Sequence, residues 1–360
     1  MSDIVKGIIG GGWPLLIGWI LPAALNVLVF VLVVLPGAGL AGARGISQDG
    51  LLVGLAAVVV GLLLAAVQTP LYRLLEGYVG WRPKVGEPHG WRPGAVLERW
   101  RRRQIERRQV LLGRVDLVEL TQLEDAGRLT DADDRERLAE VRADPRLEPY
   151  RADLARSASQ LGLLRERLGR YPVDERQVVP TRLGNAIRRL EEYGYDRFRL
   201  DSQRMWYELS AAAPERTTKQ VEQARTTVDM TIAMLYGNLL LAVATLGCTL
   251  VAAPGAWPLY LLAVAAFALT RVWYELAIRA TDDWAAGVRS LVNLGRQPLA
   301  EAMGLRLPDT IAAERDMWSK VASTVARPYH PRRAALDKYR AAPPEQTAEE
   351  LGSDPPPTGQ

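Results

Sequence analysis

The chain is poor in the residues that most often carry chemistry. Its 360 residues include one cysteine, Cys248, and two histidines, His89 and His330. A lone cysteine excludes a disulfide framework and a thiolate metal site. A histidine-based zinc site needs more ligands than two histidines supply, and both stand in proline-rich contexts, GEPHGWRP and RPYHPRR. There is no G-x-x-x-x-G-K-[ST] loop; GIIGGGWP, Gly7 to Pro14, lacks the lysine and reads as a flexible entry to the first long apolar run. No G-x-S-x-G or other paired nucleophile and base is visible. The carboxylate clusters EDAGRLTDADD and RATDDWA lack the ligand spacing of a calcium loop. They read as solvated helix starts and, for Asp282 and Asp283, as polar contacts between helices. No catalytic residue, cofactor or metal site is expected, and the chain does not read as an enzyme.

Lysine is also scarce. Of 45 basic residues only Lys6, Lys84, Lys219, Lys320 and Lys338 are lysine. With abundant Ala, Gly and Leu, this arginine bias is what a GC-rich genome imposes. A formal charge of +4 is too small to imply nucleic-acid binding. Alternating β-branched runs are missing between Tyr72 and Ala213, so no sheet is expected and the fold class is all-α.

What is present is long uncharged sequence. Pro14 to Leu35 is 22 residues without a charge, and a helix needs about 20 to cross the ~30 Å hydrocarbon core of a bilayer. Leu51 to Val67 is equally uncharged and is expected to continue to about residue 72, bending at Pro70. Gly54, Ala57 and Gly61 make a stripe of small residues on it that permits close helix approach. Thr231 to Ala253 and Trp257 to Thr270 form a third and fourth stretch, joined only by Pro254 to Ala256. The expectation is an integral membrane protein with four transmembrane helices in two hairpins. Spans at about residues 14–35 and 51–72 make an N-terminal hairpin, 1–75. Spans at about 231–253 and 257–274 belong to a long helical hairpin, 215–296, whose inner ends project as a stalk. A helical cytoplasmic domain, 76–214, is inserted between the two. A helical segment, 297–340, and a disordered tail, 341–360, complete the chain.

Orientation follows from the arginines, since cytoplasmic flanks carry the excess of positive charge. The loop Pro36 to Gly50 has only Arg44, and the loop at Pro254 to Ala256 has no charge, whereas residues 72–114 are dense in arginine. Both termini and the middle region are therefore expected in the cytoplasm. The run ERWRRRQIERRQ offers Arg99, Arg101, Arg102, Arg103, Arg107 and Arg108 to anionic lipid headgroups, worth about 1 kcal/mol per basic residue at such a surface. At depth the polar residues are Asn26, Gln68 and Asn238; Asn26 and Asn238 are candidate pore-lining or packing groups.

Within the middle region, Thr130 or Asp131 is expected to cap a helix that Pro145 ends, and a further helix is expected over about Glu148 to Leu168 with Gly169 as its C-cap, followed by Pro172. Residues 180–209 mix aromatics with charge. Leu183, Ile187 and Leu190 share a helix face, YGYD is expected to break that helix near Gly194, and a second short helix ends before Pro214. Tyr193, Tyr195, Phe198 and Trp206 are expected in a domain core or at a partner contact. The motifs PTRLGN, EEYGYDRFRLDS and MWYEL, with LVNLGRQPLAEAMGLRLPDTIAAERDMW downstream, resemble uncharacterised multi-pass membrane proteins of high-GC bacteria over Pro180 to Trp318. That resemblance implies architecture and brings no activity.

The reading is a non-enzymatic bacterial inner-membrane protein, in the plasma membrane, with an anchoring, assembly or signalling role. Its partners are anionic lipid headgroups and either a homo-oligomer or another membrane or cytoplasmic protein. The alternative is an oligomeric channel or small transporter.

Overall fold

The computed structural model describes residues 12–40, 50–78, 82–83, 91–92, 95–326 and 336–340. Arg44, both histidines and the expected tail at 341–360 lie outside the described residues. The helices are, in order, α1 (Gly12–Gly37), α2 (Gly50–Ala66), α3 (Gln68–Glu76), α4 (Ala95–Asp125), α5 (Ala132–Ala143), α6 (Glu148–Arg151), α7 (Leu154–Ser159), α8 (Leu161–Leu168), α9 (Arg182–Phe198), α10 (Trp206–Ala212), α11 (Glu215–Ala252), α12 (Trp257–Ala302) and α13 (Ile311–Ala326). One small ladder stands among them, β1 (Arg82–Pro83) antiparallel to β2 (Trp91–Arg92). Among the described residues the structure is otherwise helical, with one isolated bridge between Leu305 and Arg340.

α1, α11 and α12 are each long and apolar enough to cross a membrane. α2 and α3 qualify only as a pair, bent by 58°. The bend falls at Val67 (φ −99°, ψ 15°) rather than at Pro70 itself. The proline ring collides with the carbonyl four residues earlier, which moves the break to the turn before the proline.

The described residues divide into two units, Met1–Glu192 with Arg216–Arg289, and Tyr193–Glu215 with Ser290–Gln360. In the first, Trp19 of α1, Leu64 of α2, Val228, Ile232 and Tyr236 of α11, and Ile278 of α12 form one core. Leu183 and Ile187 of α9 enter the same core. A second cluster joins Val34, Leu241 and Ala266 further along the same helices. The opposite faces are apolar and uncovered: Leu63, Val243, Val264 and Phe267 are 61–66% exposed. Helices that are apolar all round and half uncovered suit a lipid solvent.

Small residues decide how closely these helices meet. Ala57, Gly61 and Leu64 are the buried positions of α2. A Cβ at Gly61 would stand 2.7 Å from the Ile20 Cα, so only glycine lets α1 lie there. Gly54, expected on the same stripe, has nothing within 4 Å.

Beyond the apolar helices, α4 and α5 enclose a satellite core of Leu117, Val141 and Leu147. Asp131 caps α5, its side chain accepting from the Asp133 N–H. The single helix expected over Glu148 to Leu168 is instead three pieces, α6, α7 and α8. Asp153 adopts a non-helical conformation (φ −132°, ψ 66°) and its carboxylate accepts from the Arg156 N–H, opening α7. Gly169 is the C-cap of α8, as expected, in a right-handed conformation with φ −60°.

In the second unit α9 runs through Gly194 to Phe198 without the expected break. Gly194 is there for space: a Cβ would meet the Leu200 carbonyl at 2.8 Å as the chain returns. Arg199 then takes the left-handed conformation (φ 61°) that ends the helix. Leu200, Met205, Leu209, Leu299, Met317 and Trp318 are fully buried. Thr310 starts α13, its hydroxyl accepting from the Ala313 N–H at 3.3 Å. Arg296 donates to both oxygens of the nearly buried Glu314 at 2.8 and 2.7 Å, and the Trp318 indole donates to the same carboxylate at 3.2 Å. Asp316 accepts from Lys320 (2.6 Å), Tyr339 (2.7 Å) and Lys338 (3.1 Å).

Candidate functional site

The arginine-rich run divides its side chains among three directions. Arg101 Nε donates to the Val178 carbonyl at 2.7 Å, and Arg108 donates to Pro172 O at 3.0 Å and Val173 O at 2.6 Å. These two guanidinium groups hold the segment 172–178 against α4, and buried Gln104 between them accepts from the Tyr171 hydroxyl at 2.9 Å. Burial raises the Tyr171 hydroxyl pKa. Arg99 and Arg102 point outward and are exposed, Arg102 pairing with Glu98 at 3.3 Å. Arg103 and Arg107 face a third way, into a cleft. Six arginines offered to one lipid surface are thus split by helix geometry, and only Arg99 and Arg102 stand clear of both cleft and segment.

The cleft, about 1240 Å³, lies wholly in the first unit. α4 contributes Arg103, Arg107 and Arg114, spaced four and seven apart on one helix face. α12 contributes Arg271, Glu275, Arg279 and Asp282, also one face, beginning directly after the apolar stretch that ends at Thr270. α8 and the residues after it add Glu166, Arg167 and Arg170, and Arg182 opens α9. The lining holds nine arginines against four carboxylates, a formal excess of five positive charges. The whole chain carries only +4.

Three of the four acids are already engaged. Arg170 grips Asp282 with two bonds, 2.9 and 2.6 Å, and also bonds Glu166. Arg182 grips Glu275 with two bonds, 2.7 and 2.9 Å, and Arg271 pairs with the same carboxylate. Hydrogen bonding to Asp282 raises the Arg170 pKa above its ordinary value. Arg103, Arg107, Arg167 and Arg279 are exposed and have no ion-pair partner among the described residues. Arg114 lies 3.9 Å over the Tyr150 ring, and its buried Nε has no acceptor. Val110, Leu111 and Ile278 give the wall an apolar part. The arrangement is a frame of paired charges carrying a set of unpaired guanidinium groups.

The other expected positions fall elsewhere. Asn26 Nδ2 donates to the Pro22 carbonyl at 2.9 Å and abuts Gly237, where a Cβ would come within 2.5 Å of it. Asn238 is buried and donates to the Met234 carbonyl at 2.8 Å. Phe198 is buried with the Arg296 guanidinium 4.2 Å from its ring centroid. Tyr193 is half-buried, its hydroxyl donating to Asn293 at 3.1 Å, Trp206 is half-buried, and Tyr195 is half exposed beneath Arg199. Sequence reasoning missed Asp229, which is 8% exposed beside Gly18 and accepts from the Tyr72 hydroxyl at 2.6 Å. It lies two residues before the apolar stretch expected from Thr231, so no charge interrupted that stretch to mark it. Among the described residues no group of three His, Cys, Asp or Glu has the geometry to hold a metal.

Comparison with protein-family models, with curated proteins and with solved structures finds no match to this chain.

Proposed function

We propose that this is a non-enzymatic protein of a bacterial inner membrane with an anchoring, assembly or signalling role. Its four spans form two hairpins, α1 with α2–α3 and α11 with α12, and a helical domain is inserted between them on the cytoplasmic side. Both termini lie on that side, because the arginines of α4 and of α12 beyond Thr270 flank the inner ends of the spans. The observation that carries the reading is the uncovered apolar surface of α1, α2, α11 and α12, which only lipid or another apolar helix satisfies.

The channel reading draws less support. Asn26 and Asn238 spend their amides on backbone carbonyls one turn away and on helix packing, which favours close assembly over a polar axis. Arg99 and Arg102 are the side chains free to meet anionic headgroups.

The test is alkaline extraction followed by cysteine labelling in a Cys248→Ala background. The protein is expected to stay with the membrane pellet. A Ser47→Cys variant is expected to react with an impermeant maleimide in intact cells. A variant at exposed Ser159, Ser159→Cys, is expected to react only after permeabilisation. Release at alkaline pH overturns the membrane assignment, and labelling of Ser159→Cys in intact cells overturns the orientation.

A further inference from the structure

We propose that the arginine-lined cleft is a binding site for a ligand bearing two or more phosphate groups. Three of the four carboxylates that could neutralise the lining are committed: Arg170 takes Asp282 and Glu166, while Arg182 and Arg271 take Glu275. Those pairs leave Arg103, Arg107, Arg167 and Arg279 unmatched, with only Glu106 opposing them in the lining. Like charges gathered in one concavity repel, and the low dielectric of its walls strengthens the effect. A ligand with several negative charges relieves that repulsion, where a single carboxylate would meet one guanidinium. Arginine also suits phosphate by shape, since its planar fork bonds two oxygens at once.

Size and wall chemistry narrow the class. Ligand sites of small molecules run from about 300 to 1,000 Å³, so a cleft of about 1240 Å³ has room for a nucleotide-sized anion or a diphosphate headgroup. Val110, Leu111 and Ile278 offer an apolar surface for the remainder of such a molecule. Arg271 lies immediately past the apolar stretch of α12, so a lipid headgroup and a soluble polyphosphate both have access. The phosphate chemistry is common to the two.

The site deepens the membrane reading, yet its test does not depend on orientation. The full chain is placed in phosphatidylcholine nanodiscs, which are open on both sides, and titrated with inorganic triphosphate by calorimetry. A second arm compares retention of cardiolipin from mixed nanodiscs. The variant is Arg107→Gln with Arg279→Gln, both exposed and outside every ion pair described. The control is Arg128→Gln with Arg216→Gln, both exposed and outside the cleft lining. Triphosphate binding weakened roughly tenfold or more in the cleft variant and unchanged in the control supports the proposal with a soluble ligand. Cardiolipin retention that shows the same pattern, without triphosphate binding, supports it with a lipid. The lysine pair, Arg107→Lys with Arg279→Lys, is expected to restore part of the binding by keeping charge without the fork. Absence of binding in both arms, or equal loss in cleft variant and control, overturns it. Labelling of Ser159→Cys in intact cells would overturn the orientation alone.

Discussion

Gly61 gives the sharpest test of how α1 and α2 meet. A Cβ there stands 2.7 Å from the Ile20 Cα and 3.2 Å from its backbone nitrogen, whereas ordinary contact begins at 3.4 Å. Because backbone cannot swing aside as a side chain does, Gly61→Ala forces α1 to retreat by about 0.7 Å near Ile20, the difference between those distances. A gap of roughly 0.5–1 Å forfeits a quarter to a half of each van der Waals contact it opens, and overpacking of this kind costs about 1–3 kcal/mol. Against this, alanine in a helix gains about 1 kcal/mol over glycine. Gly54→Ala supplies the reference, since that position has nothing within 4 Å and lies in the same helix. The propensity gain is common to both variants and cancels between them. Gly61→Ala is therefore expected to be about 1–3 kcal/mol less stable than Gly54→Ala. Unfolding in mixed detergent micelles, followed by helical circular dichroism, measures the difference. Equal stability of the two variants, or greater stability of Gly61→Ala, would refute the close approach of α1 and α2 at Ile20.

Arg296→Met leaves the 2%-exposed Glu314 carboxylate with only the Trp318 indole, and a loss of about 3–5 kcal/mol is expected in thermal unfolding. Arg296→Met combined with Glu314→Leu should recover much of that loss, and failure to recover would mean the packing, not the charge, was at stake. The bonds from Lys320, Tyr339 and Lys338 hold the Asp316 carboxyl well below its ordinary value of 3.8. A depressed carboxylate contributes stability that is present above the unfolded pKa and is lost as pH falls through the folded one. The wild type should therefore exceed Asp316→Asn in stability from neutral pH down to about pH 4, and the two should converge in stronger acid. Unfolding temperatures recorded against pH check this, and a gap that persists in strong acid would refute it.

Much of the helical framework was legible because its signals are local. An uncharged run of sufficient length announces a helix wherever it stands, and no proline interrupts Glu215 to Val251, the course of the single helix α11. Thr181 before Arg182 is a capping residue by type, and its hydroxyl accepts from the Gly184 N–H at 3.0 Å at the start of α9. Local signals failed where a residue answers to a distant neighbour. Gly194 looks like a helix breaker until the Leu200 carbonyl is seen beside it. The tripartite course of residues 148–168 is different, for it turns on a local cap, the Asp153 carboxylate accepting from the Arg156 N–H. The cleft was out of reach for the same reason as Gly194. Arg170 and Asp282 are 112 positions apart and Arg182 and Glu275 are 93 apart, so nothing in a sequence window shows which arginines are spent and which are spare. The face shared by Arg103, Arg107 and Arg114 was readable as a stripe; that it fronts a concavity was not.

The bond between Tyr72 and Asp229, with Tyr236 donating to the Leu71 carbonyl at 2.9 Å, bears on how the polypeptide is made. α11 carries a carboxylate and a phenol whose partners are synthesised some 160 residues earlier, on α3. Dissecting the gene into two independently expressed fragments would strand Asp229 without its phenol donor, and a translocating ribosome must still have α3 waiting nearby when α11 emerges. The N-terminal segment thereby supplies α11 with polar partners that α11 lacks within itself.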